Sequence, residues 1–199
     1  MAHLRPLQDE EIADDFIKER FAHYKRTRGF TPNSIRTMAR RPNIVKAFMA
    51  LNQAVLYEGT VAEDLKMLVS LAASFAAGCR YCQSHMANLS HLYKASDEKI
   101  AAILDYETSP LFTPDERSAI DLAFKASQIP NAATETEFAE LKKHFDDGQI
   151  VEIVAAISLF GYLNRWNDTM ATTLEPLANE RAERLIGENG WQAGKHADI

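Results

Sequence analysis

Cysteine is scarce in this chain: two among 199 residues, three apart in Gly78-Cys79-Arg80-Tyr81-Cys82-Gln83-Ser84-His85. There is no second C-x-x-C and no H-x-x-x-H, so a four-ligand zinc site lacks its other half. No apolar run approaches the roughly 18 residues of a membrane span, so no membrane partner is expected. Positive charge is in deficit: 22 Lys and Arg against 28 Asp and Glu leave a net charge of −6, which gives nucleic-acid binding no support. Residues 1–11 lack the apolar core of an export signal. Two cysteines without such a signal point to the reducing cytoplasm, where a C-x-x-C is more often catalytic or metal-binding than structural. Strand-like alternation is also missing.

What the chain has is helical periodicity. Its 46% hydrophobic and 25% charged residues are ordinary for a globular protein, and the length suffices for one sizeable core or two small repeats. The expected class is all-α. Helices are expected over 9–28, 34–40, 44–57, 61–77, 79–94, 97–104, 114–127, 134–145, 149–163 and 165–186, the last interrupted near Pro176. Thr60 with Glu63, and Thr113-Pro114-Asp115-Glu116, read as helix starts. Residues 1–42 are expected to form a helical extension, 43–186 the main domain and 187–199 a loose tail. Lys25, Arg26, Arg28, Arg36, Arg40 and Arg41 read as a solvated face or a subunit contact, ahead of an anion-binding site.

A shift of about 85 residues brings Asp64–Val69 onto Gln149–Val154 and Cys79-Arg80-Tyr81-Cys82 onto Asn164-Arg165-Trp166-Asn167. This predicts an internal pseudo-repeat of a helical hairpin, with thiols in one copy and asparagines in the other. Glu152 is a carboxylate in an otherwise apolar stretch of the second copy. It reads as a proton-relay acid near the thiols, or as an acid paired with an arginine such as Arg165 or facing water. Tyr81, Asn164, Trp166 and Asn167 are candidate pocket residues.

The motif carries the chemistry. Residues three or four apart on a helix share a face, so Cys79 stacks on Cys82 and His85 lies one turn beyond Cys82. A helix starting near Cys79 stabilises a thiolate there through its free N–H groups and dipole. His85 is placed to take a proton from Cys82 or to stabilise its anion. Three other readings stand beside this one: two packing cysteines, a zinc site with His91 whose four side chains do not converge on one helix face, and a structural disulfide, whose very small loop gains little.

The apolar helix Leu65–Ala77 with the C-x-x-C-x-x-H resembles the carboxymuconolactone decarboxylase-like family, on its AhpD-like alkylhydroperoxidase branch. Ser96-Asp97-Glu98-Lys99-Ile100 and Leu163-Asn164-Arg165-Trp166-Asn167-Asp168 are similar to members too, so the likeness covers most of residues 43–175. It implies an AhpD-like helical bundle assembled as dimers, trimers or hexamers, without cofactor or metal. It also implies a thiol peroxidase cycle: Cys82 attacks a small-molecule peroxide, Cys79 closes a disulfide, His85 assists and an external dithiol reduces the pair. Two positions depart from the family pattern. Met67 stands where its peroxidases carry a glutamate, twelve residues before the first cysteine, and the histidine follows the second cysteine by three residues instead of four. Glu152, Glu63 or a water would then replace the missing acid, or the activity would be weak. The expected function is a thiol-dependent peroxidase or dithiol oxidoreductase. The alternative is a non-enzymatic helical oligomer acting as a dithiol redox sensor.

Overall fold

The computed structural model describes residues 2–197, and among these every regular element is helical. The α-helices in chain order are α1 (Asp15–Arg28), α2 (Asn33–Met38), α3 (Pro42–Tyr57), α4 (Glu63–Ala76), α5 (Arg80–Leu92), α6 (Asp97–Ala101), α7 (Pro114–Ala126), α8 (Glu135–Leu141), α9 (Asp147–Met170) and α10 (Pro176–Ile186).

The axis of the fold is α4. From Leu65 to Ser74 every residue is buried, as an apolar run without a polar face requires. Its two serines donate to the carbonyls one turn back, Ser70 to Lys66 and Ser74 to Ser70, so they can be buried without unpaired hydroxyls. Helices α5, α7 and α9 pack around it, and α10 packs on α5. Gly78 makes the sharp turn between α4 and α5 with φ +73°, a backbone conformation that favours glycine.

Several boundaries differ from the sequence expectation. The Thr60–Glu63 cap does not form: Ala62 precedes α4, Glu63 is exposed, and the Thr60 N–H and hydroxyl donate instead to Glu152. The Thr113–Glu116 start does form, and the Ser96 side chain caps α6 by accepting from the Lys99 N–H. Helix α9 runs unbroken for 24 residues through Asn164. The second stretch of the pseudo-repeat therefore has no turn where Gly78 stands in the first, and no helical hairpin recurs there. The break falls later, at Ala171–Glu175, because nothing at Asn164 stops a helix, whereas Ala171 turns to φ +47° and Pro176 starts the next one.

Both ends of the chain join the core. Ile17, Phe21 and Tyr24 of the expected extension are buried with the rest. The tail expected to be loose is instead packed through residue 197. Trp191 is buried and donates to the Arg80 carbonyl, His196 is fully buried, and the Leu174 N–H donates to the His196 carbonyl at 2.8 Å. One aromatic ring and one imidazole supply enough burial to order a segment that has little apolar periodicity. Residues 198 and 199 of that tail lie outside the described residues.

Candidate active site

The turn at Gly78 places Cys79 at the N-cap of α5, where its carbonyl accepts from the Gln83 N–H at 3.0 Å. Both cysteines are free thiols and both are buried. The Cys82 thiol beside it lowers the pKa of Cys79 most. Burial opposes this, and His196 and the Cys82 backbone N–H add to the lowering, bringing it to about 6. Cys82 moves the other way: burial and the neighbouring Cys79 push it up, and a hydrogen bond from Asn167 Nδ2 at 3.4 Å opposes them only in part. Of the two thiols, Cys79 at the helix start is therefore the more acidic.

Cys82 is the sulfur that faces space. It lines a cavity of about 50 Å³ together with His85, Tyr81, Asn167, Phe48 and Phe160. Leu56, Met86, Leu89 and Leu163 add apolar wall, and Arg28, Ser34 and Asn52 add polar wall.

His85 shares that cavity, and its Nε2 is turned to a carboxylate that sequence reasoning missed, Glu175 Oε2 at 2.8 Å. A carboxylate only accepts, so Nε2 carries the proton and Nδ1 is left as the free acceptor of the ring. Burial pushes the Glu175 carboxyl up, but the adjacent His85 and the Asn33 N–H outweigh it and hold the group below the usual carboxylate range. Tyr81 donates to Glu175 Oε1 at 3.0 Å, accepts from the Ser34 N–H at 3.2 Å and stacks on the His85 ring at 4.3 Å. Burial and the Glu175 charge raise the Tyr81 phenol well above its ordinary value. Glu175 precedes α10 in sequence as an acid before a helix-starting proline, and nothing in that pattern links it to a histidine ninety residues away.

The other expected residues divide. Tyr81 and Asn167 are at the thiols. Asn164 donates to the Ala73 carbonyl at 3.3 Å and Trp166 lies beside Tyr162 with ring centroids 6.1 Å apart; neither lines the Cys82 cavity. Glu152 is not in the thiol cluster, and its partner is a lysine, not Arg165. It binds Lys66 Nζ at 2.8 Å and the Thr60 and Val61 N–H groups, which together overcome its burial and lower it to about 2. Met67 is fully buried in α4, so the acid that the family resemblance puts there is absent from that helix position. His91 pairs with Asp97 at 2.6 Å, away from the thiols. Most of the basic cluster is neutralised or occupied internally, with Arg36 on Asp9 at 2.8 Å, Lys25 on the same carboxylate and Arg28 on the Tyr57 hydroxyl. A second imidazole, His196, comes from the tail to lie near Cys79 and Asp168.

Fold and site together define a class: an all-helical protein with a buried dithiol at a helix start and a carboxylate-braced histidine one turn on. Comparison with known proteins shows what it resembles. The carboxymuconolactone decarboxylase family profile matches residues 42–125. The chain superposes on the crystal structure of the debrominase Bmp8 with a TM-score of 0.83 at 29% identity, covering 91% of this chain and 96% of that one. The same debrominase is known as a Cys→Ala variant in complex with 2,3,4-tribromopyrrole. An alkylhydroperoxidase AhpD core from Ralstonia eutropha JMP134, a peroxidase-related protein, gives a TM-score of 0.74 at 25% identity over 87% of this chain and 94% of that one. YnjA of Escherichia coli K12 is 29% identical over 106 residues, and the match spans 53% of this chain and 58% of that relative's length. Residues 42–125 are thus similar to the carboxymuconolactone decarboxylase family, and the chain has the AhpD-like all-helical fold.

Proposed function

We propose that this chain is a dithiol oxidoreductase that reduces a small organic hydroperoxide, cycling between the Cys79/Cys82 dithiol and a disulfide. The observation that carries the reading is the division between the two sulfurs: Cys82 lines the cavity with His85, while Cys79 does not line it and has the lowered thiol pKa. The Cys82 proton passes to the free Nδ1 of His85, and Glu175 stabilises the imidazolium so formed. The Cys82 sulfur attacks the terminal peroxide oxygen. The O–O bond breaks, the alcohol leaves with the proton, and Cys82 becomes a sulfenic acid. Cys79 then displaces that oxygen as water and closes the disulfide, which an external dithiol reduces back.

A second substrate class is favoured by one finding, the likeness to a debrominase over 96% of its length. An aryl bromide and the two thiols would give the debrominated arene, bromide, a proton and the same disulfide. We extend the proposal to assembly. Val151, Val154 and Tyr162 form an exposed stripe along α9 near exposed Ile129 and Phe138, and an apolar face of this kind on a helix is commonly covered by another subunit.

The test is turnover with a dithiol donor, following alcohol from a hydroperoxide and bromide from a bromoarene. Catalytic alcohol release lost in Cys82→Ser supports the first reading, and bromide release lost in the same variant supports the second. Full activity in Cys82→Ser removes both. Stoichiometric oxidation without turnover makes the chain a redox sensor.

A further inference from the structure

The tail delivers an imidazole that the cycle above does not use. His196 is fully buried, and its Nδ1 lies 2.7 Å from the Thr172 carbonyl oxygen. A carbonyl only accepts, so Nδ1 carries a proton, and the ring has one remaining polar atom, Nε2. Among the described residues that atom is buried without a hydrogen-bond partner. The ring lies beside two groups that carry or can carry negative charge: Nε2 is 3.8 Å from the Asp168 carboxylate, and a ring nitrogen, an Asp168 oxygen and the Cys79 sulfur lie within 4.8 Å of one another. A bare lone pair directed at a carboxylate and a sulfur anion is repelled by both, and an orphaned buried acceptor costs about 1–3 kcal/mol. A proton on Nε2 removes the conflict and meets both anions.

We infer that His196 is the proton acceptor of Cys79, so that the resting dithiol holds a thiolate–imidazolium pair between the motif helix and the C-terminal segment. The inference deepens the dithiol reading and rests on it for its catalytic meaning. The other groups facing the ring are Lys195, which pairs with Asp168 at 2.8 Å and prevents an excess of negative charge, and Tyr81, whose ring centroid lies 6.0 Å away. The lowered pKa of Cys79 has His196 among its causes, after the Cys82 thiol.

The pair has a task in the cycle. When Cys79 attacks a Cys82 sulfenic acid, its sulfur gives an electron pair to form the S–S bond and the S–O bond breaks. The departing oxygen keeps its own proton, takes the one held on Nε2 and leaves as water. His196 ends neutral. Each thiol of the dithiol is then served by its own histidine: His85 with Glu175 for Cys82, His196 with Asp168 for Cys79.

The test reads the thiolate, not turnover, so it stands or falls separately from the proposed function. In Cys82→Ser protein Cys79 is the sole thiol, with a serine hydroxyl in place of the neighbouring donor, and its thiolate absorbance is titrated against pH. Adding His196→Gln should move the midpoint up by about one unit, a tenfold loss of thiolate near neutral pH. Lys195→Ala should leave most of the thiolate in place. A midpoint unchanged by His196→Gln overturns the inference. Should that variant not fold, ring nitrogen shifts of His196 in the wild-type protein decide: protonated in the reduced form and neutral in the disulfide supports the pair, and neutral in both overturns it. Stoichiometric zinc retained by the reduced protein and lost with His196→Gln would also overturn it, because Cys79, Asp168 and His196 would then be metal ligands.

Discussion

His85 Nε2 lies 2.8 Å from Glu175 Oε2, joining the motif helix to the residue just before α10. A buried carboxylate on one ring nitrogen fixes the tautomer and leaves the other nitrogen free to accept a proton. Glu175→Gln keeps the shape and removes the charge. Peroxide reduction by that variant is expected to fall by about 100-fold, at the low end for losing acid–base assistance, with helical content unchanged by circular dichroism.

The same pair sets an acid limit. Glu175 is held below the usual carboxylate range in the folded protein, so its contribution to stability is complete above that range. It is lost as pH falls through the depressed folded value. Thermal unfolding followed from pH 7 to pH 2 should show a steeper decline below about pH 4 in the wild type than in Glu175→Gln.

Asn167 donates to the Cys82 sulfur at 3.4 Å and opposes the upward push on its pKa. A hydrogen bond to a charged group contributes about 1.5–3 kcal/mol, so Asn167→Ala is expected to slow the reaction of Cys82 with a small alkylating agent by about 10-fold or more. The comparison is made in the Cys79→Ser background, so that one thiol is read.

Mass measurement after one equivalent of hydroperoxide separates the two sulfurs. The wild type should lose two hydrogens as the disulfide closes. Cys79→Ser should gain one oxygen at Cys82 and go on to higher oxides, since no second thiol is there to condense. An oxygen appearing first on Cys79 would reverse the roles.

Glu152 has a structural part that activity assays will not detect. It pairs with the almost fully buried Lys66 and receives the N–H groups of Thr60 and Val61. Glu152→Gln leaves a buried ammonium without its counter-ion, and a loss of about 3 kcal/mol in urea unfolding is expected, with unchanged rate per folded molecule. Its carboxyl is lowered to about 2, so the contribution is full above its unfolded value, about 4.3, and fades between there and about 2 as pH falls. Gly59→Ala should be destabilising for two reasons. Its φ is +94°, and a Cβ there would run into the Glu152 carboxylate.

By itself the sequence determined the helical class and the placing of the two cysteines. Ten consecutive buried residues in α4, the Gly78 turn and Cys79 at the start of α5 are all consequences of local pattern: apolar periodicity, a residue that tolerates positive φ, and free N–H groups at a helix end. Those signals act over three or four residues and are legible wherever they occur. The tertiary structure alone decided what surrounds the thiols. Glu175 reaches His85 from ninety residues away, His196 reaches Cys79 from the end of the chain, and Glu152, a charge in an apolar run, is drawn to Lys66 instead. Buried charges take whichever partner the packing brings within about 3 Å. That distance is set by how α5, α9, α10 and the tail cross, and no local spacing encodes it.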